Sequence, residues 1–144
     1  MELFDVSVDP TAQENGAWIE NINDKTGDLK LLVLGASAST LRELNAKLTR
    51  EREPAYMSDP QYRSDREDYE TLEKAKAALL GWENLKIGGN LVPYSPETAA
   101  KIIDDPRFES FVTAIYNAIT KVNKIKATYD EEAEKNLLNG IALN

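Results

Sequence analysis

The sequence predicts an α+β fold: a small N-terminal antiparallel sheet of two or three strands packed on four or five helices. Three observations carry this expectation. Short apolar runs separated by turn chemistry fill the first 35 residues. Amphipathic stretches opened by capping residues and prolines fill most of the remainder. Between residues 82 and 95 a glycine pair, Gly88-Gly89, interrupts them with hairpin chemistry. At 144 residues the chain is expected to be one domain, with 42% apolar residues to fill a core. Residues 1–35 are read as mainly β and residues 36–144 as mainly α.

In chain order, Phe4, Val6 and Val8 alternate with Asp5, Ser7 and Asp9, the period-2 pattern of a strand, ended by Pro10. Asn15-Gly16 marks a turn. Trp18, Ile19 and Ile22 mark a second strand over about residues 17–22. After the polar turn at 23–28, Leu29-Lys30-Leu31-Leu32-Val33-Leu34 reads as a strong strand stopped by Gly35. The second and third strands are expected to form a hairpin, with the first at an edge.

Ser37, Ser39 and Thr40 offer N-caps for a helix to about Arg52, with Leu41, Leu44 and Leu48 on one face. Asp59-Pro60 combines an N-cap with proline at the first helical position. This helix is expected to reach Leu80, with Tyr62, Tyr69, Leu72, Ala75 and Leu79 inward and Gly81 as its stop. Trp82 then falls in the turn after the helix. Leu85, Ile87, Gly88-Gly89-Asn90, Leu91 and Val92 read as a small hairpin. Ser95-Pro96 opens a short helix carrying Ala99, Ala100, Ile102 and Ile103. Asp105-Pro106 opens the longest apolar helix, with Phe108, Phe111, Val112, Ile115, Ile119, Val122 and Ile125 as its stripe. Thr128-Tyr129-Asp130-Glu131 fits a capping box for a last helix to about Asn139, before Gly140.

The charge excludes several functions. Twenty-five acids face 17 bases, a formal net −8. Nucleic-acid binding needs clustered Lys and Arg to displace counterions, and anionic membrane surfaces attract cations. Neither nucleic acid nor membrane is therefore an expected partner. Residues 1–35 dominate the acidity, with 7 acids against 2 bases. The chain has no cysteine and no histidine, which removes disulfides, thiolate chemistry and the commonest general base. Only carboxylates remain as strong metal ligands. No cofactor, no metal and no catalytic residue is expected, and the protein is read as non-enzymatic. The opening Met1-Glu2-Leu3-Phe4-Asp5 shows no charged-then-apolar leader, and no apolar run approaches the roughly 20 residues of a membrane helix. The expected location is the cytoplasm.

The chemistry-bearing clusters have local explanations. Asp104-Asp105, Asp130-Glu131-Glu132 and Glu134 stand at helix starts, where the N-terminal dipole favours carboxylates, and they lack EF-hand spacing. Gly88-Gly89 lacks the lysine and following helix of a phosphate loop and reads as a turn. Ser95 and Thr98 have no base to activate them, so Ser95 reads as a cap. Trp82 suits either a core aromatic that locks the turn or a partner-contact anchor. The helix after Pro106 is apolar around more than half its circumference. That suits either a central helix or a face that receives a partner helix.

The order of signals resembles the tail assembly chaperones of long-tailed bacteriophages. Gly16-Ala17-Trp18, a Leu-rich strand followed by a helix, and Leu80-Gly81-Trp82-Glu83-Asn84-Leu85 come first. Val92-Pro93-Tyr94-Ser95-Pro96-Glu97, Asp105-Pro106 with an aromatic helix, and Glu134-Lys135-Asn136 complete the series. The resemblance covers about residues 14–138 and departs at Leu137-Leu138, where members often continue with Ser. It implies a non-enzymatic protein that coats the long helical tape measure protein in the host cytoplasm and is displaced when the tail tube polymerises. The expected partner is accordingly the tape measure protein, with self-association left open. Trp82, Tyr94, Phe108 and Phe111 are the expected contact or turn-forming positions. A structural tail or connector component of the virion and an acidic nucleic-acid mimic are the alternatives, with an enzyme last.

Overall fold

The computed structural model describes residues 1–141. A 3₁₀ turn at Leu3–Val6 leads into helix α1 (Pro10–Asn15), strand β1 (Ala17–Ile19), strand β2 (Lys30–Val33) and helix α2 (Ser39–Arg50). A second 3₁₀ turn at Pro54–Met57 precedes the long helix α3 (Pro60–Ala78), which runs directly into strand β3 (Leu79–Glu83). The short strands β4 (Lys86–Ile87) and β5 (Asn90–Leu91) form a hairpin. Helix α4 (Pro96–Asp104), a 3₁₀ turn at Pro106–Phe108, helix α5 (Glu109–Asn123) and helix α6 (Glu131–Asn139) follow. The fold is α+β, as the sequence predicts, with six α-helices among the described residues.

The main sheet is antiparallel in the order β1-β2-β3. Ile19, Leu31 and Trp82 stand opposite one another, as do Ala17, Val33 and Leu79. These residues form the sheet's inner face, and Leu31, Val33 and Leu79 are fully or almost fully buried. A bulge between Leu32 and Val33 leaves Leu80 without an opposite partner. Helix α5 covers the inner face and contacts α3 and α4 on its other sides. Val112, Ala114, Ile115, Ala118, Ile119 and Val122 of this helix are buried. The wide apolar face of α5 is therefore that of a central helix.

Two strand assignments change. Residues 4–8 form no strand. Ser7 donates from both its N–H and its hydroxyl to the Phe4 carbonyl, closing a turn. Of the alternating Phe4, Val6 and Val8, the two valines are exposed and Phe4 is only partly buried, so the alternation reports no buried face. Asp9 N–H instead donates to Ile125 O (2.9 Å) and Ala127 N–H to Ser7 Oγ (3.2 Å), which ties the N-terminal segment to the connector before α6. Pro10 opens α1, with the Asp9 carboxylate accepting from the N–H groups of Thr11 and Ala12. Asp9-Pro10 thus carries the same cap signature as Asp59-Pro60.

The third strand comes from residues 79–83, which the sequence assigns to a helix end and a turn. Helix α3 stops at Ala78, and Gly81 lies inside a strand rather than at a helix stop. β2 has an open edge, and pairing it satisfies backbone groups that a longer helix would leave unpaired. The ladder continues past β2 through Leu34 N–H, which donates to Ala78 O at 3.0 Å.

Three smaller corrections concern helix ends and faces. The N-terminus of α2 has no side-chain cap from its own N-cap residue, Ala38. The Glu14 carboxylate supplies it from α1, accepting from Ser39 N–H (2.9 Å) and from the Ser39 hydroxyl. These bonds hold the Glu14 carboxyl below its usual range. Asp130, rather than Thr128, caps α6. Tyr69 is exposed, and its neighbour Glu70 is buried at 3% exposure, alongside Ala75 and Ala78 on the same helix. The Arg52 guanidinium grips Glu70 bidentately (2.8 and 2.6 Å), and Arg66 adds a third bond at 3.0 Å. This cluster fastens the chain after α2 to the middle of α3.

Two stability experiments follow from these placements. A Cβ at Gly81 would meet Trp18 Cη2 and Leu32 Cβ at 3.6 and 3.7 Å, which is ordinary contact. Gly81→Ala is expected to change stability by less than about 1 kcal/mol, the span of strand propensity. A Cβ at Gly35 would overlap the buried Gln13 carboxamide. Gly35→Ala is expected to cost about 1–3 kcal/mol, because displacing that amide breaks its buried hydrogen bonds. Urea denaturation of both variants checks the contrast. The second experiment concerns Glu70, whose carboxyl is held below its usual range chiefly by the Arg52 bonds, with burial opposing them. Its contribution is present above the ordinary glutamate value of about 4.3 and is lost as pH falls through the lowered folded-state value. Glu70→Gln is expected to cost about 3 kcal/mol near neutral pH, the low end of buried-pair loss because both arginines reach solvent. The difference from wild type should shrink as the solution is acidified, in thermal melts at a series of pH values.

Candidate functional site: an aromatic corner and its apolar groove

The four aromatic residues singled out in the sequence meet at one corner of the fold. Trp82 points from β3 into the core opposite Leu31 and is 6% exposed. Its indole Nε1–H donates to Val92 O at 2.7 Å. The ring stands edge-on to Tyr94 (centroids 4.9 Å, 87°) and to Phe111 (5.9 Å, 84°). Such T-shaped contacts place the positive ring edge against the negative face. The Tyr94 hydroxyl donates to Leu79 O at 3.2 Å, and burial pushes its pKa up. Two aromatic side chains therefore stitch residues 92–94 to β3.

Local chemistry positions the rest. Gly88 and Gly89 both have positive φ (57° and 82°), as a two-residue hairpin turn requires. Val92 N–H donates to Leu85 O at 2.9 Å and closes the hairpin's base. Ser95 Oγ accepts from Thr98 N–H and starts α4, the capping role its position predicts. Asp105 caps the turn that carries Phe108 by accepting from Arg107 N–H at 3.0 Å. The Arg107 guanidinium bonds the same carboxylate and lies 5.3 Å from the Phe108 ring centroid. That pairing holds the Asp105 carboxyl below its usual range.

Between the hairpin and α5 these elements leave a groove of about 90 Å³. Leu85, Ile87, Ile102, Phe108 and Phe111 line it together with Lys86, and Arg107 lies over the Phe108 ring. Ile87 and Leu91 are exposed, and Phe108 is 36% exposed. Trp82 and Tyr94 build the corner from within, whereas Phe108 and Phe111 face the groove. Leu85, Ile87 and Ile102 carry no mark of their own in the sequence that sets them apart as groove residues. The signal available was the apolar pair flanking Gly88-Gly89, which is too short to bury itself and needs a neighbour. Chemically, the groove can hold one aliphatic side chain. Among the described residues no group of three or more His, Cys, Asp or Glu side chains is placed to hold a metal, and no helix is long and apolar enough to cross a membrane.

A family model described as YdaY prophage protein matches residues 36–136. The chain belongs to this prophage family. The matched span runs from the residue after Gly35 into α6 and contains Trp82, Tyr94, Phe108, Phe111 and the groove between them. YdaY membership gives the chain a phage association and sets the aromatic corner inside the family's matched span. No curated protein and no solved structure matches the chain.

The geometry separates scaffold residues from contact residues. Trp82→Ala is expected to destabilise the protein by about 3–5 kcal/mol, as for large buried aromatics. Phe108→Ala is expected to cost less than about 1.5 kcal/mol, because its ring is partly in solvent already. Chemical denaturation of the two variants measures the difference.

Proposed function

We propose that this YdaY-family protein is a non-enzymatic tail assembly chaperone that binds the tape measure protein in the bacterial host cytoplasm during tail morphogenesis. The observation that carries the reading is the exposed apolar groove at the Phe108 corner, within the span of a prophage family and on a chain of net charge −8. A long helical partner presents repeated apolar stripes that must be kept from aggregating. A groove of about 90 Å³ accepts one side chain of such a stripe, in the manner of a helix laid on an apolar cleft. One such contact is weak. Many along one partner give avidity while leaving each copy displaceable. The uniform acidity of the copies keeps a coated complex dispersed by like-charge repulsion.

The nucleic-acid-mimic alternative gains little support. Asp9 and Glu14, two of the seven acids in residues 1–35, are engaged at helix N-termini, and Glu20 lies 3.8 Å from Lys30. This thins the carboxylate face that a phosphate mimic would need.

Co-expression with the cognate tape measure protein is the direct test. The two proteins should co-purify. An Ile87→Asp, Phe108→Asp double variant that keeps wild-type helicity should bind at least about tenfold more weakly, as for loss of a central anchor. Equal binding by the double variant, or no co-purification of the wild type, rejects the reading. Mass spectrometry of purified particles should find no copy of this chain. Stoichiometric presence would assign it to the structural tail instead.

A further inference from the structure

Helix α6 is uncovered. None of its nine residues is buried, and Leu137 and Leu138 are 47% and 44% exposed. Its first turn carries Glu131, Glu132 and Glu134. A helix this short is marginal in water unless its apolar face is buried against something. Among the described residues, Glu134 borders a cavity with Glu2, Phe4, Asp5 and Tyr129, while Leu137 and Leu138 stay exposed.

A second groove, of about 410 Å³, lies where α2, α3 and α5 meet. Leu41, Tyr116 and Ile119 give it an apolar floor, Arg42 and Lys74 flank it, and no carboxylate lines it. Neither cation forms an ion pair among the described residues. The Asn123 side-chain oxygen is occupied by Gln13 Nε2 and Ala36 N–H, which leaves its NH₂ as the available donor. The groove thus offers cations, a donor and hydrocarbon on a protein that is acidic elsewhere. Its ideal ligand is a short helix with acidic and apolar positions, and α6 has that composition. A nine-residue helix is about 14 Å long, and the groove lining runs along residues 41–45 of α2 and 116–123 of α5, so the groove receives part of α6 rather than its whole length.

We infer that α6 of one molecule seats in the α2–α3–α5 groove of a second copy, so that the chain associates with itself head to tail. The contact is heterologous: each copy offers one helix and one groove, and growth continues until a ring closes or a chain of copies forms. A nine-residue helix buries far less than the roughly 1,600 Å² of a standard interface, so the association is weak and concentration-dependent. It is independent of tape measure binding, since it uses neither Ile87 nor Phe108.

Sedimentation velocity on the full chain tests it with two double variants of exposed or partly exposed residues: Arg42→Glu with Lys74→Glu, and Leu137→Glu with Leu138→Glu. Circular dichroism and melting confirm that both remain folded. Wild type should sediment as species that grow with concentration. Each variant alone should remain monomeric. An equimolar mixture should form a dimer and stop there, because only one intact helix meets one intact groove. A wild type that stays monomeric at millimolar concentration overturns the proposal. So does self-association that survives the α6 change, or a variant mixture that stays monomeric. If the groove variant instead loses only the tape measure protein while wild type is monomeric, the groove belongs to that partner and the second copy is excluded.

Discussion

The pairing of β3 with β2 is the interaction on which the rest of the structure depends. A two-stranded hairpin is marginal in water, whereas three strands packed on a helix can hold a core. Setting Leu79 opposite Val33 and Trp82 opposite Leu31 completes an inner face that α5 covers. The same pairing points the Trp82 indole at Val92 and leaves Leu79 O to accept from Tyr94. Those two bonds seat the segment that leads into α4, and α4 and α5 pack against each other behind it. Backbone pairing between residues about fifty positions apart thus positions the aromatic corner.

A second constraint is polar. Gln13 of α1 is buried and paired at both ends: its amide donates to Asn123 Oδ1 and its oxygen accepts from Ser37 N–H, each at 3.0 Å. Gly35 must lack a side chain for this amide to lie against it. Glu14, the next residue, caps α2. One short helix therefore fixes the β2–α2 connection, the end of α5 and the start of α2. It also fixes Ala36 and Asn123 on the border of the larger groove. Buried amides are costly when half-satisfied, and this one leaves no buried side-chain polar atom unpaired among the described residues.

Trp82 and Tyr94 are conspicuous in the sequence, and the structure sets both in the scaffold of the corner. The Trp82 ring is buried and the Tyr94 ring packs partly buried against it, and the surface they support is made by residues of the hairpin and by Phe108. The two grooves differ in kind. The corner beside Phe108 is apolar and narrow, whereas the cleft between α2, α3 and α5 is larger and bordered by cations. Both lie largely within the span matched by the YdaY prophage family.

The sequence by itself determined several features whose cause is local. Asp59-Pro60, Ser95-Pro96 and Asp105-Pro106 start helical turns because each cap reaches N–H groups two or three residues away. Gly88-Gly89 turns the hairpin because both positions need positive φ. The stripe on α5 reads as buried because its period matches one helix face. Only the tertiary structure decided residues 79–83, where helix, turn and strand are all locally acceptable and the open edge of β2 selects the strand. It also decided residues 4–8, whose alternating pattern finds no sheet to join and ties instead to the connector near Ala127. Glu70 was equally beyond local reading. A glutamate on a helix face is ordinarily solvated, and it is buried here only because Arg52, which follows a different helix, comes within 2.6 Å of it. In each case the deciding partner is distant in sequence, so its hydrogen bonds and buried area exist only after the chain has folded.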